Sequence, residues 1–130
     1  MISIDTNILI RLLTNDDKKQ AKYAEKLVES NDIYITKSVL MEAEWVLRYT
    51  YEIEPTIIHQ AFENLLGLPQ ITVEDPACII KTMNWYAEGF DFADAMHLAT
   101  SLQSSDKFAT LDKGFIKLAK KMNIHLITMT

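Results

Sequence analysis

Two aspartates three positions apart open an apolar segment in the second half of the chain. Asp91 and Asp94 follow Gly89 in an apolar-rich segment that continues to Thr100. Because positions i and i+3 lie on one face of a helix, Asp91 suits the N-cap and Asp94 the first turn. One carboxylate is enough to cap a helix, and no lysine or arginine nearby in the sequence balances the second. The pair therefore predicts a site for a cation.

Two further aspartates stand where short apolar strands are expected to end. Asp5 closes a strand expected to be buried over residues 1–4, and Asp112 closes one expected over residues 107–111. In parallel sheets, ligands bind outside the carboxyl ends of the strands. Asp5, Asp94 and Asp112 are therefore expected to gather at one sheet edge. Carboxylates gathered in this way have raised pKa values or hold a cation.

A fourth acid comes from a helix expected over residues 37–49. Its apolar arc consists of Val39, Leu40, Ala43, Val46 and Leu47. At about 100° per residue, Glu42 and Glu44 each lie roughly 40° beyond one edge of that arc. Periodicity alone does not choose between the two glutamates.

Short strands alternate with helices along the chain. Strands are expected over residues 1–4, 31–35, 71–73, 107–111 and 124–129. Helices are expected between and after them, ending at about residues 13, 30, 49, 66, 87, 103 and 122. This alternation predicts the α/β class, with a mainly parallel five-stranded sheet covered by helices on both faces. A chain of 130 residues suits one domain, residues 1–130.

Composition narrows the class of protein. With 48% hydrophobic and 24% charged residues, the chain has the balance of an ordinary soluble domain. A net charge of −5 argues against binding nucleic acid through bulk charge alone. The start lacks the basic region of a signal peptide, and no apolar run approaches the roughly 20 residues of a membrane span. A single cysteine, Cys78, excludes an internal disulfide. We therefore expect a cytoplasmic protein without a membrane partner.

The acids occur within recognisable short motifs. These are Asp5-Thr6-Asn7, Glu42-Ala43-Glu44-Trp45, Asp91-Phe92-Ala93-Asp94-Ala95 and Thr110-Leu111-Asp112. In this order and spacing the chain resembles the PIN-domain family and, more narrowly, the VapC-type toxins of toxin–antitoxin pairs. The resemblance extends over essentially the whole chain and implies a single PIN-like domain.

The resemblance implies a metal-dependent endoribonuclease. It assigns the catalytic acids to Asp5, Glu42, Asp94 and Asp112, and the metal ligands to Asp5, Asp94 and Asp112. Thr6, Asn7 and Thr110 fall on polar positions that orient the acids or a water, and Asp91 is kept as a cap or supporting acid. The implied metal is Mg²⁺, with Mn²⁺ as the alternative, since hard cations take oxygen ligands. Leu111 replaces a phenylalanine common in relatives, which we expect to change core packing only.

The resemblance also implies partners. They are an RNA substrate, a small VapB-like antitoxin that occludes the acidic pocket, and a second copy of the chain in a homodimer. One alternative is a PIN nuclease of RNA maturation that has no antitoxin. Another is a phosphoacceptor receiver domain. The receiver is disfavoured because the first strand runs into Asp5-Thr6-Asn7 rather than an acidic pair, and the fifth strand has no lysine.

Three further features have both an ordinary and a functional interpretation. The lysines at positions 113, 117, 120 and 121 share one helix face. That face is either simply solvated or a basic rim that contacts the RNA backbone. The stripe of Lys18, Lys22 and Lys26 is interpreted as a solvated face. His97, one turn after Asp94, is expected on the surface or a pocket wall rather than as a general base.

Overall fold

The computed structural model describes residues 1–129 and forms two compact units. The first unit is Met1–Pro76, and the second begins at Ala77. Each unit contains helices and its own parallel strands. The α/β class expected from the sequence is confirmed.

The first unit contains a three-stranded parallel sheet in the order β1-β2-β3. Ile33 of the central strand pairs with Ile2 on one side and Ile71 on the other. The elements of this unit are β1 (Ile2–Ser3), α1 (Thr6–Leu13), α2 (Lys18–Ser30), β2 (Ile33–Ile35), α3 (Lys37–Trp45), a π-helical turn (Val46–Thr50), α4 (Pro55–Leu66) and β3 (Ile71–Val73).

The helices of the first unit begin where the sequence places capping residues. Asp17 accepts a hydrogen bond from the backbone N–H of Gln20 at 3.0 Å, and Thr36 caps α3 through Val39 N–H at 3.3 Å. α4 begins at Pro55, whose fixed backbone angle and missing N–H suit a first helical position. The apolar faces of these helices and of β2 supply fully buried side chains, among them Leu9, Ala24, Ile33, Ile35, Leu40, Ile58 and Phe62.

The second unit contains a two-stranded parallel sheet, β4-β5. Its core gathers Phe90, Leu98 and Phe115 with small alanines, and Phe90 meets Phe115 edge to face at 5.6 Å between ring centroids. The elements of this unit are α5 (Pro76–Ala87, which starts one residue before it), α6 (Phe92–Ser101), β4 (Phe108–Ala109), α7 (Lys113–Lys121) and β5 (Leu126–Ile127).

A glycine ends α5 and turns the chain toward the motif that opens α6. Gly89 has φ of +105°, a conformation that side chains with a Cβ rarely adopt. Its N–H donates to Tyr86 O, and the N–H of Phe90 donates to Trp85 O, both at 3.1 Å. These bonds satisfy carbonyls left open by the helix end. The turn therefore sets where Asp91 can start the next helix.

Several sequence expectations about the strands were wrong in detail. The five strands form a sheet of three and a sheet of two rather than one sheet of five, within residues 1–129. β1, β4 and β5 each span only two residues, and both residues of β1 are exposed although a buried strand was expected. The strands before Asp5 and Asp112 end early because each aspartate caps the helix that follows.

Two local expectations also need correction. The helix expected over residues 37–49 changes at Val46 into a π-helical turn, in which Tyr51 N–H donates to Val46 O at 3.2 Å. Leu111 was expected in the core but is 77% exposed. Since Leu111 lies in the loop between β4 and α7, its side chain does not replace a core phenylalanine.

Candidate active site

Asp5 occupies the N-cap of α1 in the first unit. Its Oδ1 accepts a hydrogen bond from the backbone N–H of Ile8 at 3.0 Å. The residue is exposed, and the cap uses only one of the two carboxylate oxygens. Oδ2 is therefore available to a ligand while Oδ1 holds the helix start.

Glu42 of α3 is tied to the residue that follows Asp5. The hydroxyl of Thr6, a buried side chain, donates a hydrogen bond to Glu42 Oε1. Glu42 itself is exposed. The bond holds the Glu42 carboxylate against the first turn of α1, so the first unit presents Asp5 and Glu42 with Thr6 between them.

Glu44 has a different environment. Its side chain is buried, with 2% of the residue exposed, and its Oε2 lies 3.0 Å from Arg48 Nε one helical turn later. A carboxylate so deeply buried and already paired is a structural group. Of the two glutamates that periodicity left open, Glu42 is therefore the exposed one and Glu44 the buried one.

A groove between α1 and α2 has Asp5 in its wall. Its volume is about 660 Å³. The helices supply the rest of its walls through Asn7, Ile8, Arg11, Lys19, Gln20 and Tyr23. Among these wall residues, only Asn7 was a candidate site residue from the sequence. Lys19 and Tyr23 are one turn apart on α2, but helical spacing alone does not reveal which surface helix faces an acidic site.

The aspartates of the motif at α6 are arranged as the sequence predicted. Asp91 is the N-cap of α6, and its Oδ2 accepts from the backbone N–H of Asp94 at 3.1 Å. Asp94 lies in the first turn and is partly buried. Burial, followed by the negative charges of Asp91 and Asp112, raises the pKa of Asp94, and His97 opposes the shift. His97 is exposed, as expected.

Asp112 begins α7 in the same unit. Its Oδ1 accepts from the backbone N–H of Phe115 at 2.9 Å, which makes it the N-cap. The backbone N–H of Asp112 donates to Thr110 Oγ1 at 3.1 Å. Thr110 therefore fixes the backbone of the residue that carries the acid.

The second unit thus holds three carboxylates near enough to affect one another. Like charges disfavour ionisation of Asp94, and a divalent cation would remove that repulsion. No three histidine, cysteine, aspartate or glutamate side chains in the described part of the chain are grouped closely enough to hold a metal ion as they stand. The donor chemistry nevertheless fits Mg²⁺, which binds through one or two carboxylates and keeps several waters.

Comparison with known protein families gives the family of this chain. The family model described as the PIN domain matches residues 2–121. The chain belongs to the PIN-domain family. The match includes every candidate acid of both units. A search of curated proteins found no match.

Membership of the PIN-domain family indicates the kind of activity. PIN domains are generally nucleases, and they generally use divalent metal ions. The carboxylates of this PIN domain are oxygen donors of the kind such ions require. No helix within residues 1–129 has the length and apolar character needed to cross a bilayer.

Proposed function

We propose that this PIN domain is a metal-dependent endoribonuclease and the toxin of a VapBC-type toxin–antitoxin pair. The observation that carries the proposal is the PIN-domain match over residues 2–121. The position of Asp94 beside Asp91 and Asp112, which together with burial raises the pKa of Asp94, supports it. Carboxylates whose pKa is raised by burial and by neighbouring negative charges are more typical of functional sites than of ordinary helix caps.

The proposed ligands of the metal are Asp5, Asp94 and Asp112, with Mg²⁺ as the ion and Mn²⁺ as the alternative. A bound divalent ion would acidify a water and offset the charge that develops on the attacked phosphate. Asp91 supports the site by holding the backbone of Asp94.

The remaining residues orient groups around the reaction. Thr6 holds one oxygen of Glu42, which leaves the other oxygen to accept a hydrogen bond from the attacking water. Fixing that carboxylate in advance lowers the entropic cost of aligning water with phosphorus. Asn7 lines the groove next to Asp5 and can donate an amide hydrogen bond to a phosphate oxygen.

An RNA-cleavage assay with Mg²⁺ tests the nuclease proposal. Asp5→Asn and Asp94→Asn should each lower the cleavage rate by about 100-fold or more, because each removes a charge that interacts with the reacting centre. Asparagine caps helices about as well as aspartate, so Asp5→Asn should fold normally. Asp106→Asn, an exposed site in the second unit, is the matched control. Undiminished cleavage by both variants, or cleavage in excess chelator, would contradict the proposal.

The toxin role is tested in cells. Induced expression should arrest bacterial growth, and Asp94→Asn should not. Co-expression of a small DNA-binding protein from an adjacent reading frame should restore growth, since an antitoxin would cover the acidic site, presenting arginine to it, together with exposed apolar surface. Normal growth with an enzyme that is active in vitro would favour the RNA-maturation alternative. Sedimentation would test the expected homodimer.

A further inference from the structure

We infer that the groove between α1 and α2 is a subsite for single-stranded RNA, with Tyr23 as a stacking platform for one base and Lys19 as a phosphate contact. The inference rests on the proposed nuclease function, because Asp5, a proposed metal ligand, is one of the residues that line the groove. It adds a substrate-binding surface that the catalytic acids alone do not define.

Tyr23 offers an aromatic face beside the site. The residue is 60% exposed although it lines the groove. A single exposed aromatic residue is unremarkable on a protein surface. This one shares a concave wall with Asp5, so a base stacked on it would place its strand along the acid. Base–aromatic stacking is worth about 1–3 kcal/mol per base and tolerates any sequence.

Arg11 and Lys19 have different roles in the groove. Arg11 donates to Gln20 Oε1 at 2.6 Å, to Asp16 Oδ1 at 3.1 Å and to the Tyr51 hydroxyl at 3.2 Å. The bond to Gln20 joins α1 to α2, and the bonds to Asp16 and Tyr51 tie Arg11 to the loop before α2 and to the residue after the π-helical turn. The guanidinium is therefore largely engaged within the protein.

Lys19 is the cation left for a ligand. Its side chain is exposed, and no carboxylate in residues 1–129 lies within ion-pair distance of its ammonium group. Lys19 precedes Tyr23 by one turn, so ammonium and ring lie on the same face of α2. A phosphate and the base attached to it would meet these two groups together.

The proposed stacking on Tyr23 also predicts which class of RNA binds. Bases inside a duplex are stacked on one another, and a protein ring engages them only after they are splayed out. The expected substrate is therefore a single-stranded segment or a hairpin loop. A continuous duplex would gain nothing from Tyr23.

The test compares steady-state cleavage of a fluorophore–quencher single-stranded RNA of mixed sequence by wild type and variants. Tyr23→Ala should raise KM about tenfold, equivalent to one stacking contact, with kcat little changed. Tyr23→Phe should match wild type because it keeps the ring. Tyr49→Ala is the aromatic control, since Tyr49 is 57% exposed and lies outside the groove. Circular dichroism checks that each variant folds.

The proposed contact between Lys19 and an RNA phosphate is tested separately, by the salt dependence of binding. Lys19→Gln should reduce the slope of log affinity against log salt by about 0.7, the value for one single-strand phosphate contact. Lys18→Gln, which removes an exposed charge from the same helix but outside the groove, should leave the slope unchanged. Fluorescence anisotropy with the same RNA measures this binding without requiring cleavage.

The two proposals fail in different ways. If wild type cleaves RNA, Asp94→Asn does not, and Tyr23→Ala has the KM of wild type, the subsite is wrong and the nuclease assignment stands. If Asp94→Asn cleaves like wild type, the proposed function fails. In that case loss of RNA binding by Tyr23→Ala in anisotropy would still support the groove, and unchanged binding would overturn it.

Discussion

At the residue scale, the environment of Asp94 destabilises its charged carboxylate. Partial burial and two neighbouring carboxylates raise its pKa above the usual value of 3.8. The folded protein therefore binds this proton more tightly than the unfolded chain does. As the pH rises through the folded-state pKa, Asp94 ionises in the folded protein and the free energy of unfolding falls.

Asp94→Asn should consequently stabilise the metal-free protein at neutral pH. The difference in free energy of unfolding between variant and wild type should grow from pH 3 to pH 7, because only the wild type acquires the unfavourable charge. Urea unfolding in chelator at several pH values measures it, with Asp106→Asn as the control. A variant that is equally destabilised at all pH values would contradict this account of Asp94.

A second prediction uses two glutamates of one helix. Glu42→Gln should lower cleavage strongly while changing the free energy of unfolding by less than about 1 kcal/mol, because Glu42 is exposed. Glu44→Gln should lower the free energy of unfolding by more than Glu42→Gln does, because Glu44 is buried and its ion pair with Arg48 is lost. Denaturant unfolding and RNA cleavage on both variants distinguish the roles. If Glu42→Gln and Glu44→Gln lowered the free energy of unfolding equally, the difference in burial would not distinguish the roles of the two glutamates.

At the element scale, three of the candidate acids also start helices. Asp5, Asp91 and Asp112 cap α1, α6 and α7. A cap needs one oxygen and a metal ligand needs another, so a carboxylate meets both demands at one position. The fold thereby fixes the acids on helix N-termini, which are better defined than loop positions.

Asp112 allows the two roles to be separated. Asp112→Ala should lower the free energy of unfolding by about 1 kcal/mol through loss of the cap, and should also lower cleavage. Asp112→Asn should retain the stability of wild type and lose activity, because the amide oxygen caps but carries no charge. Thermal unfolding and RNA cleavage measure the two effects. An active Asp112→Asn would leave Asp112 with the capping role alone.

At the scale of the whole molecule, the proposed RNA binding requires a local basic surface because the net charge is −5. The lysines of α7 are a candidate basic surface, and all four are exposed. Replacing Lys113, Lys117, Lys120 and Lys121 by alanine should weaken RNA binding and flatten its salt dependence. Anisotropy at several salt concentrations measures both. Unchanged binding would mean that this face is only solvated.

Much of the architecture could be predicted from sequence because its signals are local. The helices expected to end at about residues 13, 30, 66 and 87 do end there in the structure, as α1, α2, α4 and α5. Strand lengths could not be predicted as well. Asp5 and Asp112 follow apolar runs, and in such runs the sequence does not reveal where pairing stops and the next helix cap begins.

The sequence by itself determined the α/β class, the order of the acids and the family, because alternation, capping chemistry and motif spacing are all properties of nearby residues. Only the tertiary structure decided that Glu44 is buried against Arg48 while Glu42 meets Thr6, and that Lys19 and Tyr23 share a groove with Asp5. These outcomes depend on which helix faces pack together. Periodicity predicts which side of a helix is apolar. It does not predict which other element packs against that side.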